Sequence, residues 1–199
     1  MKIIILPGLC ILMALISFKP MEPLQKVKDY LTIPGPIDFN KLKYHLSWSS
    51  HPSATYYKQE YIPENENADK FTKMMMIEAV TGNFSLQDVV KAKMAELEAR
   101  KKNDPLANYQ IIKNTKAGEF LLDFVISQSG IKEDIVEWNA YRYTILKEKS
   151  GKKGILLLAC SKRAYGAATT DFLTSLKKDR PGDIKAITTY PVPVVHLIK

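Results

Sequence analysis

Residues 119–163 read EFLLDFVISQSGIKEDIVEWNAYRYTILKEKSGKKGILLLACSKR, and the fold is decided there. Three runs rich in aromatic and aliphatic residues, 119–127, 135–146 and 154–163, are parted by short segments of Gly, Ser, Lys and Asp. Gaps this short join antiparallel neighbours, because a parallel crossover needs about a dozen residues or more. The run before them, 108–113, reaches residue 119 through Asn114-Thr115-Lys116-Ala117-Gly118 and extends the same meander. The spacing therefore predicts four consecutive antiparallel strands.

Working outward, residues 42–48 place Leu42, Tyr44, Leu46 and Trp48 at alternate positions, the period of a half-buried strand. Residues 49–53 (SSHPS) have turn composition, 55–62 (TYYKQEYI) are aromatic and strand-like, and 63–67 (PENEN) close that run. A third strand is expected over 71–80 (FTKMMMIEAV), where Met74, Met75 and Met76 suit a core or a soft ligand surface. From Leu86 to about Lys102 the pattern turns helical. Leu86, Val90, Met94 and Leu97 share one face, Ser85 stands at the N-cap with Asp88 three residues on, and Phe84 and Val89 are spaced for a hydrophobic staple. Asp104-Pro105 stops it. A second helix is expected over 171–178, with Phe172, Leu173 and Leu176 inward and Arg180-Pro181-Gly182 as its breaker. The order is βββαββββα, which defines an α+β fold: an antiparallel sheet of six to seven strands with two helices packed on it.

The ends divide from this unit by composition. Met1-Lys2 followed by an uncharged apolar run to Phe18 reads as a signal peptide over 1–19, too short for a membrane-spanning helix of about 20 residues. Residues 20–40 hold four prolines and read as an extended leader, 41–180 as the single α+β domain, and 181–199 as an extended C-terminal tail, an edge strand or a strap. The expectation is an exported, periplasmic or extracellular protein with no stable membrane span once the signal is cleaved. Of two cysteines, Cys10 lies in that signal peptide and Cys160 in an apolar run, so the mature chain would have no internal disulfide and Cys160 reads as a buried thiol.

The formal charge is +8 over 199 residues, with lysines and arginines gathered near residues 100–102, 147–153, 162–163 and 177–180. Several of these clusters fall in turns and helix ends, where solvated lysine is ordinary. Outside the cytoplasm a basic protein meets envelope surfaces, and nucleic acid is not the expected partner.

The element order, the exported leader and the closing segment resemble the PsbP/Mog1-like fold, a group that includes small exported bacterial proteins. The likeness spans residues 42–178 and includes Asn83-Phe84-Ser85-Leu86 at the helix start and Ala164-Tyr165-Gly166 before the helix holding Phe172-Leu173. Members of that group are mostly accessory or binding proteins. The resemblance implies a partner-binding role and assigns no functional residue.

Chemistry-bearing residues are sparse. The three histidines, His45, His51 and His196, show no paired metal spacing, and no G-x-S-x-G or phosphate-binding loop accompanies them. The sequence predicts no cofactor, no metal and no catalytic residue. One polar constellation lies on the later strands: Asp123, Glu137, Tyr141, Arg142, Tyr143, Arg163 and Tyr165. Charges inside apolar strands must find partners if buried. Asp123 or Glu137 facing Arg142 or Arg163 makes either a structural ion-pair ladder or a ligand patch, walled by Tyr141, Tyr143 and Tyr165 with an arginine for an anionic group. The expected function is a non-enzymatic extracytoplasmic accessory or binding module contacting a protein or envelope partner. The alternative is a small-molecule or lipid carrier, its pocket between helix and sheet and lined by Met74, Met76 and the tyrosines.

Overall fold

The computed structural model describes residues 27–130 and 132–198. The predicted signal peptide, 1–19, lies outside the described residues. Four strands come first: β1 (Ile37–Phe39), β2 (Leu42–Ser53), β3 (Tyr56–Pro63) and β4 (Lys73–Thr81). Helix α1 (Leu86–Arg100) then leads to β5 (Asn108–Asn114), β6 (Glu119–Gln128), β7 (Ile135–Ile145) and β8 (Gly154–Tyr165), and α2 (Thr169–Thr189) follows. All eight strands form one antiparallel sheet in the order β1-β2-β3-β4-β8-β7-β6-β5. Two meanders therefore meet at the β4–β8 seam. The chain leaves β4 at mid-sheet, crosses the second meander as α1, and re-enters at the far edge as β5.

The α+β class and the antiparallel sheet with two helices are as expected, but the strand count and three boundaries differ. Eight strands replace six to seven, because β1 lies inside the segment expected to be an extended leader. Ile37 and Phe39 are buried on one face of β1 while Asp38 faces out, and Leu31 ahead of it is fully enclosed. Residues 49–53, expected to turn, continue β2. Beyond Tyr44 that strand has no outer neighbour among the described residues, and Pro52 sits where a sheet edge tolerates proline. Finally, α2 does not break at Arg180-Pro181-Gly182 but runs through Pro181 to Thr189. Pro181 faces solvent. Arg180 before it and Asp183 after it are held to the sheet through Asp123 and Lys162, so tertiary ties flank the missing backbone hydrogen bond. Only the last described residues are extended, and they act as a strap: Val195 bridges to Glu148, and Val195 and Leu197 are buried.

Burial follows from the sheet's pleat. Along β8, Leu156, Leu158 and Cys160 face α2 while Ile155, Leu157 and Ala159 face α1, and all six are buried. The α2 side also gathers Tyr57, Tyr61, Met75, Ile77, Trp138, Leu176, Ile187, Leu31 and the strap. On the α1 side, Val90 and Leu97 pack on Met76, Leu122, Phe124 and Tyr143, with Leu86, Val89 and Met94 half-buried beside them. This is the helix face the sequence predicts. The predicted N-cap bond is absent: Ser85 has the extended backbone of a cap, but its side chain makes no capping hydrogen bond. The opposite end of α1 is stapled instead. Asp104 accepts from Arg100 Nε (2.8 Å) and from the Ser127 amide (2.7 Å), tying the helix C-terminus to the end of β6.

Candidate functional site

Period two splits the seven predicted site residues between the two faces of the sheet. Asp123 and Arg142 point toward α2. Asp123, fully enclosed, accepts from Trp138 Nε1 (2.7 Å) and from Arg180 Nε (2.7 Å). Arg142 grips Glu119 with both arms (2.9 and 2.8 Å) and donates from Nη1 to the carbonyls of Ile187 and Tyr190 (3.1 and 2.6 Å). It thereby satisfies carbonyls at the α2 C-terminus, where the helix carries partial negative charge. Lys162 pairs with Asp183 (2.5 Å), and Asn40 donates to the same carboxylate (3.0 Å). These side chains latch α2 to the sheet. Arg142 is therefore removed from the predicted ligand patch, because its side chain emerges on the face opposite the tyrosines.

The other five lie on the α1 side, in two separate groups. Toward the start of β7, Glu137 faces Arg163 in register and accepts from its Nε (2.6 Å), while Asn139 donates to Glu137 (2.9 Å). The Arg163 guanidinium lies 4.0 Å from the Phe71 ring centroid, and Tyr165 donates its hydroxyl to the Phe71 carbonyl (2.9 Å). Every charge here has a protein partner. Glu137 pairs with Arg163 as anticipated, whereas Asp123 takes Arg180 and Arg142 takes Glu119, both outside the predicted set. The aromatic wall does not assemble, since Tyr165 stands beside Ile135 at one end of β7 while Tyr141 and Tyr143 pair with Ala159 and Leu157 farther along.

Tyr141 and Tyr143 instead floor a cleft of about 420 Å³ between α1 and the sheet. Val89, Ala92, Lys93 and Glu96 form its helix wall; Lys58, Glu78, Val80, Ile155 and Leu157 line it from β3, β4 and β8. Burial pushes both phenols up, and the Glu78 carboxylate adds to the effect. Burial also raises the Glu78 carboxyl, opposed by the Lys58 ammonium 3.8 Å away and a hydrogen bond with Tyr56. Lys58 also pairs with Glu60 (2.8 Å) and lies 5.8 Å from the Trp48 ring centroid. Lys93 pairs with Glu96 (2.7 Å) and hangs 5.7 Å from the Tyr141 ring centroid. The cleft is apolar at its floor and mixed in charge at its rim. Met74 and Met76, expected to line such a pocket, do not: Met76 is sealed beneath α1 and Met74 packs with Ile62 and Phe71.

The cleft opens onto bare sheet. α1 covers β5, β7 and their neighbours, whereas on the same face of β2, β3 and β4 the register brings Trp48, Ser50, Tyr56, Lys58, Glu60 and Glu78 together with no described helix above them. Trp48 is 44% exposed. Sequence reasoning missed this surface, although Glu78 carried a signal as the one acid within FTKMMMIEAV.

Among the described residues, no group of three His, Cys, Asp or Glu side chains converges to hold a metal ion. Cys160 is buried against α2, and enclosure pushes its thiol far above the ordinary range. His51 stacks on Tyr57 with ring centroids 4.0 Å apart, and His196 approaches Glu148 (3.6 Å), so the imidazoles remain scattered. No described helix is long and apolar enough to cross a membrane.

A protein-family model matches residues 31–192, and the chain belongs to that family. The match starts at buried Leu31 and ends in the strap, taking in every strand and both helices. No curated protein matches the chain, and no solved structure does.

Proposed function

We propose that this protein is a non-enzymatic, exported accessory module that binds a protein or envelope partner through the half of the sheet α1 leaves open. The observation that carries the reading is the uneven cover of the two sheet faces. One is closed by α2 and two flanking segments; the other presents Trp48, Tyr56 and a mixed-charge row over β2–β4. An exposed tryptophan beside a half-buried tyrosine and paired charges suits a protein surface, where aromatic anchors supply most of the binding energy. The resemblance to the PsbP/Mog1-like fold supports the same role. So does the pairing of the buried charges with one another, which among the described residues leaves no converging base, nucleophile and oxyanion donor of the kind catalysis needs.

A photo-crosslinking residue placed at Trp48 tests this in the native host. One defined adduct from position 48, and none from an equivalent probe at Lys177 on α2, is the expected result. Equal labelling from both positions, or none from Trp48, defeats the proposal.

The cleft of about 420 Å³ favours a second reading, a small-molecule carrier. Native mass spectrometry then finds a bound compound that Tyr143→Ala releases. A wild-type chain recovered at its apo mass removes this reading.

A further inference from the structure

One end of the sheet collects the β4–α1 connection, the β5–β6 turn and the β7–β8 loop, because β4, β5 and β7 all finish there while β6 and β8 begin. Two large apolar side chains project from this end: Phe84 is 51% exposed and Ile145 is 55% exposed. Both border the same hollow of about 440 Å³, together with Lys147, Lys152 and Lys153. Phe84 is braced outward by its own loop. Gly82 adopts φ +146°, and a Cβ there would meet the Phe84 ring at 2.5 Å, so the ring lies against bare glycine backbone.

Lysine dominates the charge around these two side chains, six exposed ammoniums against one exposed carboxylate, Asp88. Lys113, Lys116, Lys147, Lys149, Lys152 and Lys153 are all exposed, and among the described residues none of them forms an ion pair. Of three carboxylates at this end, Asp88 in the first turn of α1 is exposed, and the other two are engaged internally. Glu119 is held by Arg142, and Glu148 accepts from the Ser150 amide (2.7 Å), the Ser150 hydroxyl (2.5 Å) and the Lys152 amide (3.2 Å). An apolar tip ringed by unpaired lysines matches an anionic bilayer surface, where the apolar groups enter the headgroup boundary and the ammoniums meet phosphate.

We infer that this end of the protein docks on anionic phospholipid membranes, with Phe84 and Ile145 inserted and the lysines of the β5–β6 and β7–β8 connections on the headgroups. The surface is distinct from the open sheet half and shares with the proposed function only the extracytoplasmic setting. A duplex nucleic acid fits less well, since the patch has no arginine and one aromatic ring in place of a stacking platform.

The test reads the tip itself, so that binding through the apolar N-terminal stretch of the full chain cannot imitate it. Phe84→Trp is mixed with phosphatidylglycerol–phosphatidylcholine vesicles carrying brominated acyl chains, and its added fluorescence is compared with that of the wild type. The added tryptophan is expected to be quenched, with quenching weakened by salt. Reversing Lys147, Lys152 and Lys153 to Glu in the same background is expected to weaken it on the order of a hundredfold, at roughly fivefold for each lysine near the surface. Lys177→Glu with Lys178→Glu on α2 serves as the charge control and is expected to leave quenching intact. An unquenched tip on vesicles that bind the protein overturns the inference. So do equal quenching on neutral vesicles and tighter binding to duplex DNA than to anionic vesicles. None of these outcomes bears on crosslinking from Trp48.

Discussion

The two faces of the sheet are closed by different physics. Over the α2 face lie a helix, the segment before β1 and the C-terminal strap, and salt bridges run from the sheet to the helix on both sides of Pro181: Asp123–Arg180 and Asp183–Lys162. The α1 face has one described helix, held by Val90, Leu97 and their neighbours and by polar ties near its C-terminus, from Arg100 and Asp104 to Ser127 and from Glu98 to Tyr109. Buried ion pairs contribute little net stability against apolar replacements, yet losing one partner is costly, so such ties act as registers more than as glue. The contrast teaches that the α2 side is built to fix one arrangement, and the α1 side to leave surface free.

Breaking the latch has the largest expected effect. Arg142→Ala removes the bidentate grip on Glu119 and the donors to Ile187 and Tyr190, and leaves Glu119, 12% exposed, without its cation. A loss of about 3–5 kcal/mol is expected in urea unfolding. If the loss stays below about 1 kcal/mol, the latch is ornamental.

On the other face, Leu97→Ala opens a cavity under α1 and is expected to cost about 2–4 kcal/mol. Because α1 carries fewer ties, this variant should loosen the helix without disturbing α2. Near-ultraviolet circular dichroism of Trp138, which lies on the α2 side, is then unchanged.

Acid sharpens the comparison at two carboxylates. For Glu148 burial acts to raise the carboxyl, but hydrogen bonds from Ser150 and the backbone prevail and hold it at about 2, below its ordinary value. Asp104 is likewise held low, burial being outweighed by bonds from Ser127 and Arg100. A depressed folded-state value means stability that is present above the ordinary carboxylate range and lost as pH falls toward the folded value. The melting temperature therefore drops on acidification, and Glu148→Gln flattens the drop. Glu78 has the opposite sign. Burial raises its carboxyl, so its ionisation disfavours the folded state as pH climbs through the raised value, and Glu78→Gln is expected to match or exceed wild-type stability at neutral pH.

The smallest effect on stability is expected at the open surface. Trp48→Ala is expected to change unfolding free energy by about 0.5 kcal/mol or less while removing the proposed partner contact. A substantially larger loss would mark Trp48 as a packing residue and return the open half to the core.

What was legible in the sequence was local. The alternation and short gaps of residues 108–163 delivered β5–β8 as hairpins, and the spacing of Val90, Met94 and Leu97 delivered the inward side of α1. What failed depended on partners distant in sequence. β1 is three residues long and exists because β2 accepts it; residues 49–53 form a strand because β3 pairs with them; α2 passes Pro181 because Asp123 and Lys162 hold it there. The same limit governed the polar residues. The Glu137–Arg163 pair was among the four combinations expected, but Arg180 and Glu119 could not be named as partners before the chain closed. The open half of the sheet was invisible for a related reason: nothing local in Trp48, Lys58 or Glu78 says that α1 stops short of them.

Native-state hydrogen exchange under mild denaturant tests the difference between the faces most directly. The account predicts that α2 amides exchange only with those of β7 and β8, at the free energy of global unfolding, while α1 opens earlier and alone. If α2 exchanged before α1, or both helices opened together well below global unfolding, the latched face and the open face would be the same, and the account would be wrong.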